Sequence, residues 1–404
     1  MNIVLFSHPA FLNSQSMPRF AHMLKQSYIA RGHHVQLWSP QPKLFALVPK
    51  GRLSKWAGYV DQYLLFPLWV RQQLKHQLAD TLYVFCDQAL GPWVPLVTHK
   101  PHVVHVHDLL ALRSALGDVP ENPTGWSGKL YQRYIRNGFR QAKHFISISN
   151  KTRDDLHLFG RVTPSISEVV YNGLNYPYSP MPQNEATQAL ENAGFTVKQE
   201  GILLHLGGSQ WYKNLAGVIR IYIEYAKREE NPLPLWCVSP NPNASIQMLL
   251  KEVPPQGQVL FVQGIDNPIL QAAYSLARAF IFPSLAEGFG WPIIEAQACG
   301  CPVITTNAAP MNEIGGAAAT YIPVFKMTEN PQQWAQQAAT TLKNLLTISE
   351  TQRQALVKEG IANAARFNAD GAIEGYLSVY RQVLNQLQIE AVKKHQSTLS
   401  RKTS

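Results

Sequence analysis

Short apolar runs alternate with stretches of helical spacing along most of the chain. Asn2 to Phe6 (NIVLF) is an apolar run, Pro18 to Ala30 repeats apolar residues at helical spacing until Gly32 stops it, and His34 to Trp38 (HVQLW) predicts a second strand. Further strands are predicted at Leu82–Phe85, His102–Val106, His144–Ile148 and Glu168–Val170. Apolar strands that alternate with helices imply a parallel sheet covered on both faces. The stretch YNGLNYPYSPMP, Tyr171 to Pro182, interrupts this pattern with three prolines. It then restarts with five short strands, at Ile202–Leu206, Leu235–Ser239, Val259–Gln263, Ala279–Pro283 and Pro302–Thr306. Two α/β domains are therefore expected, over residues 1–175 and 201–369, with a linker over 176–200. A last helix, about 370–390, is expected to pack back on the first domain, and 391–404 to form a loose basic tail.

Composition narrows the functional classes. With 46% hydrophobic and 15% charged residues, the chain reads as a well-packed soluble protein. No run approaches the roughly 20 apolar residues of a membrane helix, and the opening MNIVLF reads as a strand and not a signal peptide. Cys86, Cys237, Cys299 and Cys301 form neither a disulfide framework nor a paired metal motif, so buried thiols in a reducing cytoplasm are expected. A net charge of +10 predicts a field that attracts anions. Nucleic acid is not the expected partner, because the chain has no basic recognition helix, zinc finger or RRM-like aromatic signature.

Ligands of open α/β sheets collect where the strands end. After the strand AFIFP comes SLAEGFGWPIIEAQACGCPVI, Ser284 to Ile304, with Glu287 on a loop and Glu295 inside the following helix. Pro292 suits a helix start, where its missing amide costs nothing. Amides of the loop and the helix dipole would favour an anion, while Gly288 and Gly290 let a ligand approach the backbone. The two carboxylates do not share one helical face, and their separation suits an extended ligand gripped at two points by its hydroxyls.

This stretch resembles the E-x7-E signature of retaining glycosyltransferases of family 4: two glutamates with seven residues between them, glycines after the first, and a proline near the helix start. The resemblance covers nearly the whole chain and is strongest from Ile202 to Thr320. It implies the GT-B architecture, two Rossmann-like doubly wound parallel-sheet domains facing a cleft, and retaining transfer of a sugar from a nucleotide-sugar donor of UDP or GDP type. No D-x-D motif is present, so no metal and no other cofactor is expected. Within this resemblance Glu287 would hold sugar hydroxyls, Glu295 the ribose, and the amides of Phe289, Gly290 and Trp291 the diphosphate. In LGGSQWYKN, Leu206 to Asn214, Lys213 matches the family's basic donor-binding residue. Gly208 and Ser209 stand where an arginine is usual, which leaves more of the phosphate charge to Lys213.

The first domain offers fewer matches. In HVVHVHDLLALRSALG, His107 resembles the histidine that the family directs toward the transferred sugar; His105 is the fallback, and Arg113 could add charge nearby. His105, His107 and Asp108 also permit a metal reading, although further ligands are missing. The family's glycine pair after the first strand is replaced by HPAFLNSQSMPRF, in which Asn13, Ser14 and Ser16 can offer hydrogen bonds to an acceptor. Asn172 and Gly173 match the family's N-G turn. Pro49 to Leu78 interleaves Lys50, Arg52, Lys55, Arg71 and Lys75 with aromatic rings, a pattern that suits an anionic membrane surface or an ordinary amphipathic helix pair. The expected acceptor is thus a glycan, a lipid-linked molecule or a small molecule, and the expected location is cytoplasmic, including the periphery of the inner membrane face. Two alternatives stay open: a nucleotide-sugar epimerase of the same fold, and a non-catalytic nucleotide- or glycan-binding protein.

Overall fold

The structure, a computed structural model, describes residues 1–12, 16–49, 51–197 and 200–400, with the side chains of residues 52 and 390–400 left aside. Within these residues twelve strands make two six-stranded sheets, parallel throughout. The first contains β1 (Asn2–Phe6), β2 (His34–Trp38), β3 (Leu82–Phe85), β4 (His102–Val106), β5 (His144–Ser147) and β6 (Ile166–Val169), in the order β2-β1-β3-β4-β5-β6. The second contains β7 (Ile202–Leu206), β8 (Leu235–Val238), β9 (Val259–Val262), β10 (Ala277–Phe282), β11 (Val303–Thr306) and β12 (Ala319–Ile322), in the order β12-β11-β10-β7-β8-β9.

Ten helices matter below: α1 (Ser16–Ala30), α2 (Arg52–Val60), α3 (Phe66–Gln73), α4 (Leu110–Leu116), α5 (Trp126–Phe139), α6 (Gln183–Asn192), α7 (Leu215–Ala226), α8 (Asn267–Leu276), α9 (Trp291–Ala298) and α10 (Ala369–Ser400). Chain contacts divide the protein into two units, Met1–Tyr171 with the C-terminal helix from Asp370 onward, and Asn172–Ala369.

In the first unit the pleat decides which core each residue joins, because successive side chains leave opposite faces of a strand. Ile3 and Leu5 pack with Phe20, Leu24 and Tyr28 of α1 and with Tyr376 and Tyr380 of α10. Val4 and Phe6 enter the opposite core with Phe66, Trp93 and Phe139. The core that α10 closes also holds a polar chain: Tyr28 Oη donates to Tyr380 Oη at 3.0 Å, and Tyr380 Oη lies 2.7 Å from His105 Nε2. At the surface Arg31 bridges Asp370 and Glu374 of the same helix.

Three elements differ from the pattern read along the chain. α6 occupies the segment expected as a linker and buries Ala186 and Leu190 in the second unit. β12 forms from ATYI, whose alanine and threonine carry too little apolar weight to mark a strand. α10 continues past Leu387 to Ser400, into the expected tail, through a stretch that holds no glycine or proline.

Candidate functional site

Read from its other edge, the second sheet runs β9-β8-β7-β10-β11-β12, and its connections change direction between β7 and β10. Open α/β sheets bind ligands at such a reversal, outside the carboxyl ends of the strands. The two loops concerned are sewn together. Leu285 N donates to the Tyr212 carbonyl at 2.7 Å, and Asn214 Nδ2 donates to the Pro283 carbonyl at 3.0 Å. Asn214 holds a left-handed backbone (φ 52°), and its Oδ1 accepts from Gly217 N at 3.1 Å, so the same residue caps α7.

This stitching sets the charged groups. Lys213 Nζ donates to Glu287 Oε1 at 2.7 Å, and Ser284 Oγ donates to the same oxygen at 2.8 Å. Lys213 Nζ also lies 5.0 Å from the Phe282 ring centre, within cation–π range. Beneath the loop, a Cβ at Gly207 would stand 2.8 Å from His205 Nε2, so a side chain here would press on the buried His205 ring. His205 is buried with Nδ1 donating to the Ile281 carbonyl; burial pushes its pKa down to about 4, so the ring is neutral and Nε2 keeps an unshared lone pair.

Glu295 sits inside α9 and is buried. Burial raises its carboxyl to about 7, against the pull of the Tyr274 hydroxyl, which donates to Oε2 at 3.1 Å, and of the Lys213 charge. Glu287 and Glu295 thus both feel Lys213, one by a hydrogen bond and the other through space. Between them the chain turns at Gly290, whose φ of 101° a side chain would oppose, and α9 opens at Trp291 with Pro292 next. Phe289 is buried edge-on to Phe367, and the Trp291 indole N–H donates to the Gly173 carbonyl at 3.0 Å. These two side chains brace the turn. Gly208 and Ser209 lie on the loop after β7, with Ser209 exposed and Gly208 packed against the Gln210 amide.

In the first unit, His107 follows β4 directly and is buried. Its Nε2 donates to the Cys86 carbonyl at 2.9 Å, its ring meets Phe20 edge-on at 4.7 Å, and Nδ1 has no partner. His105 is a core residue against Tyr376 and Tyr380. The Arg113 guanidinium is committed to Asp118 at 2.8 Å and Asp155 at 3.3 Å. Ser16 begins α1 and is exposed, while Asn13 and Ser14 lie outside the described residues. Among the described residues no group of three or more His, Cys, Asp or Glu is placed to hold a metal, which removes the His105–His107–Asp108 metal reading. All four cysteines are free and buried.

Several residues of these sites went unread in the sequence. Ser284 and Tyr274 hold the two glutamates, yet their roles depend on loop and helix packing that spacing does not show. His8 and Asp87 carry a plainer signal, since each lies two residues past a strand; their side chains meet at 2.8 Å, His8 Nε2 to Asp87 Oδ2. Burial alone would raise the Asp87 carboxyl, but the His8 hydrogen bond and charge, the nearby His107 and the Ala89 amide together take it below its ordinary value.

Comparison with known proteins bears on both units. A model described as "Glycosyltransferase Family 4" matches residues 17–176, and one described as "Glycosyl transferases group 1" matches residues 200–344. The chain is 22% identical to the O-antigen chain mannosyltransferase B of Escherichia coli over 301 residues, 72% of this chain and 76% of that protein. It is 23% identical to a D-inositol 3-phosphate glycosyltransferase of Jonesia denitrificans over 337 residues, 80% of this chain and 76% of the relative. Among solved structures, WaaG, a glycosyltransferase involved in lipopolysaccharide biosynthesis, superposes with a TM-score of 0.68 at 15% identity, covering 94% of this chain and 99% of that one. Anabaena Alr3699/HepE, solved in complex with UDP and glucose, superposes with a TM-score of 0.60 at 16% identity, covering 96% of this chain and 100% of that one.

Proposed function

We propose that this chain, a glycosyltransferase of the family 4 type with the GT-B fold, moves a sugar from a UDP- or GDP-sugar to a hydroxyl-bearing acceptor with retention of anomeric configuration. The observation that carries this is the placement of Lys213, Glu287 and Glu295 around the β7/β10 reversal, where a doubly wound sheet takes nucleotides. Lys213 neutralises the departing diphosphate beside the turn from Gly288 to Trp291, the charge stabilisation that usually dominates catalysis. Glu287 accepts from sugar hydroxyls, and Glu295, when ionised, accepts from the ribose. His107 is assigned toward the transferred sugar. As the anomeric C–O bond to the diphosphate breaks, the acceptor oxygen bonds the same face and its proton passes to the leaving phosphate. No protein nucleophile takes part, unlike retaining hydrolases with paired carboxylates. Neutralisation falls to Lys213, and no metal is invoked.

The acceptor is a glycan or a lipid-linked or small molecule, and one surface favours delivery at an anionic membrane. α2, the turn after it, α3 and α5 expose Leu53, Trp56, Leu64, Leu68, Trp126 and Leu130 beside Lys55, Arg71, Lys129 and Arg133. A tyrosine contact joins the two segments, Tyr63 Oη to Tyr131 Oη at 2.7 Å. Residues 43–78 and 126–140 hold ten Lys and Arg and one acid, Asp61, which is buried and bound by the amides of Leu44 and Phe45. Rings and leucines among cations suit a headgroup layer. No helix of the described residues is long and apolar enough to cross a membrane. A cytoplasmic, peripheral enzyme fits these features together.

The test is a thermal-shift panel of UDP, GDP, ADP and their sugar conjugates in EDTA. A ligand at about 100 times its Kd stabilises by about 2.7 kcal/mol. One nucleotide should raise the midpoint, the rise should vanish in Lys213→Ala, and transfer products should keep the donor's anomeric form. A free epimerised sugar nucleotide would identify an epimerase, retained binding without turnover a binding protein, and no shift at all would overturn the placement of the donor site.

A further inference from the structure

Transfer needs a second substrate with a nucleophilic hydroxyl, and the first sheet has its own reversal, between β1 and β3. Phe6 and Phe85 end these neighbouring strands in register, so the loops that follow leave the sheet side by side. His8 stands on one and Asp87 on the other. Asp87 is fixed from two sides, with Oδ2 on His8 Nε2 at 2.8 Å and Oδ1 accepting from Ala89 N at 3.1 Å. The His8 backbone is fixed as well, since Ser39 Oγ donates to its carbonyl at 3.0 Å.

A carboxylate can only accept, so the shared proton belongs to His8 Nε2, and the other ring nitrogen, Nδ1, is left for a further hydrogen bond. Nδ1 has no hydrogen-bond partner among the described residues, and the two side chains are 19% and 11% exposed. The pair is thus sheltered but reachable at the ligand-binding edge of the sheet. A merely structural role explains it poorly, because well-packed apolar residues usually stabilise as much as a largely desolvated ion pair. An imidazole held in place through Nε2, with Nδ1 uncommitted, is instead a fixed hydrogen-bonding partner for a substrate hydroxyl.

We propose that His8 Nδ1 hydrogen-bonds a hydroxyl of the acceptor substrate, and that Asp87 is the positioning residue that holds the ring in the required orientation. The assignment rests on the transferase reading above and adds a named acceptor contact in the first unit. It also fits a loop that lacks the glycines expected there, since a side chain and not bare backbone meets the ligand.

Two substitutions separate this role from a structural one. In His8→Gln the side-chain amide can still reach Asp87 from the Nε2 position but offers nothing at Nδ1; in His8→Asn a group remains near Nδ1 but the Asp87 contact is lost. The full-length protein is assayed with a nucleotide sugar and with methyl α-mannopyranoside and octyl α-mannopyranoside as hydroxyl probes. Imidazole 15N resonances are followed in parallel. Each probe that binds should shift the His8 Nδ1 resonance of the wild type. His8→Gln should raise the probe KM about two- to tenfold, the effect of one lost hydrogen bond to substrate, with an unchanged melting point and an unchanged nucleotide-induced midpoint. An Nδ1 signal that neither probe moves, or a His8→Gln enzyme with wild-type KM, would overturn the proposal while leaving the donor site standing. Loss of the nucleotide shift in the wild type would instead remove the transferase reading on which it rests.

Discussion

Lys213 Nζ and Glu287 Oε1 lie 2.7 Å apart although 74 residues separate them in the chain, and their side chains are only 16% and 8% exposed. The pair closes the loop after β7 onto the loop after β10. Under the proposed function, a diphosphate at this site would compete with Glu287 for the same ammonium group, which would free Glu287 for the sugar.

Lys213→Ala should act in two ways. Without ligand it leaves the Glu287 carboxylate with Ser284 as its remaining side-chain partner and should cost about 1–3 kcal/mol in urea unfolding. It should also abolish the nucleotide-induced rise in melting point. Lys213→Gln, which restores a hydrogen bond but no charge, should recover part of the stability and none of the nucleotide effect.

Glu295 gives the site a pH dependence near neutrality. Its folded pKa, raised to about 7 by burial, exceeds its ordinary value of 4.5, so its contribution to stability is present in full below the ordinary value and is lost as pH rises through 7. If Glu295 accepts from the ribose as proposed, nucleotide binding has the opposite slope: affinity measured by calorimetry should fall as pH drops below 7. Glu295→Gln should flatten both profiles, and an unchanged slope in that variant would show that another group titrates.

Asn214 is a structural test of the same corner. Replacing it with alanine removes the cap on Gly217 N and the bond to the Pro283 carbonyl while keeping a side chain at φ 52°, so a loss of about 2–3 kcal/mol is expected. Asn214→Gly should lose less, since glycine adopts this backbone freely. Equal losses in the two variants, read by urea denaturation, would discount the backbone contribution.

For the basic aromatic surface, sedimentation with phosphatidylcholine vesicles and with vesicles containing phosphatidylglycerol gives a direct reading. The wild type should bind only the anionic vesicles and release them at high salt. Lys129→Gln with Arg133→Gln should weaken the partition by about 1 kcal/mol for each charge removed. Equal binding to both kinds of vesicle, or to neither, would leave the acceptor to be sought among soluble glycans.

Much of this architecture was legible along the chain because parallel strands buried on both faces appear as largely apolar runs: NIVLF, HVVHV and ILLHL correspond to β1, β4 and β7 with unchanged limits. Strand pairing order and loop-to-loop bonds are properties of the folded sheet, so the Lys213–Glu287 contact was visible only as two separate motifs. Arg113 shows a different limit: the sequence places a cation near His107 but not its partners Asp118 and Asp155, the second of which is distant in the chain. His8 and Asp87 escaped notice because neither belongs to a recognised motif, although the position just past a strand already marks where chemistry collects.

The C-terminal helix has a consequence for the order in which the protein is made. Tyr376, Leu377 and Tyr380 lie in the same core as Ile3 and Leu5, so residues made early in this stretch of chain wait for others made more than 370 residues later before that core can close. Residues 172–369, synthesised in between, form a unit with its own continuous sheet and need no such partner. Nascent chains stalled before Asp370 should therefore protect the later unit from protease while the earlier one is still cut, an inversion of the usual amino-terminal-first sequence of domain folding.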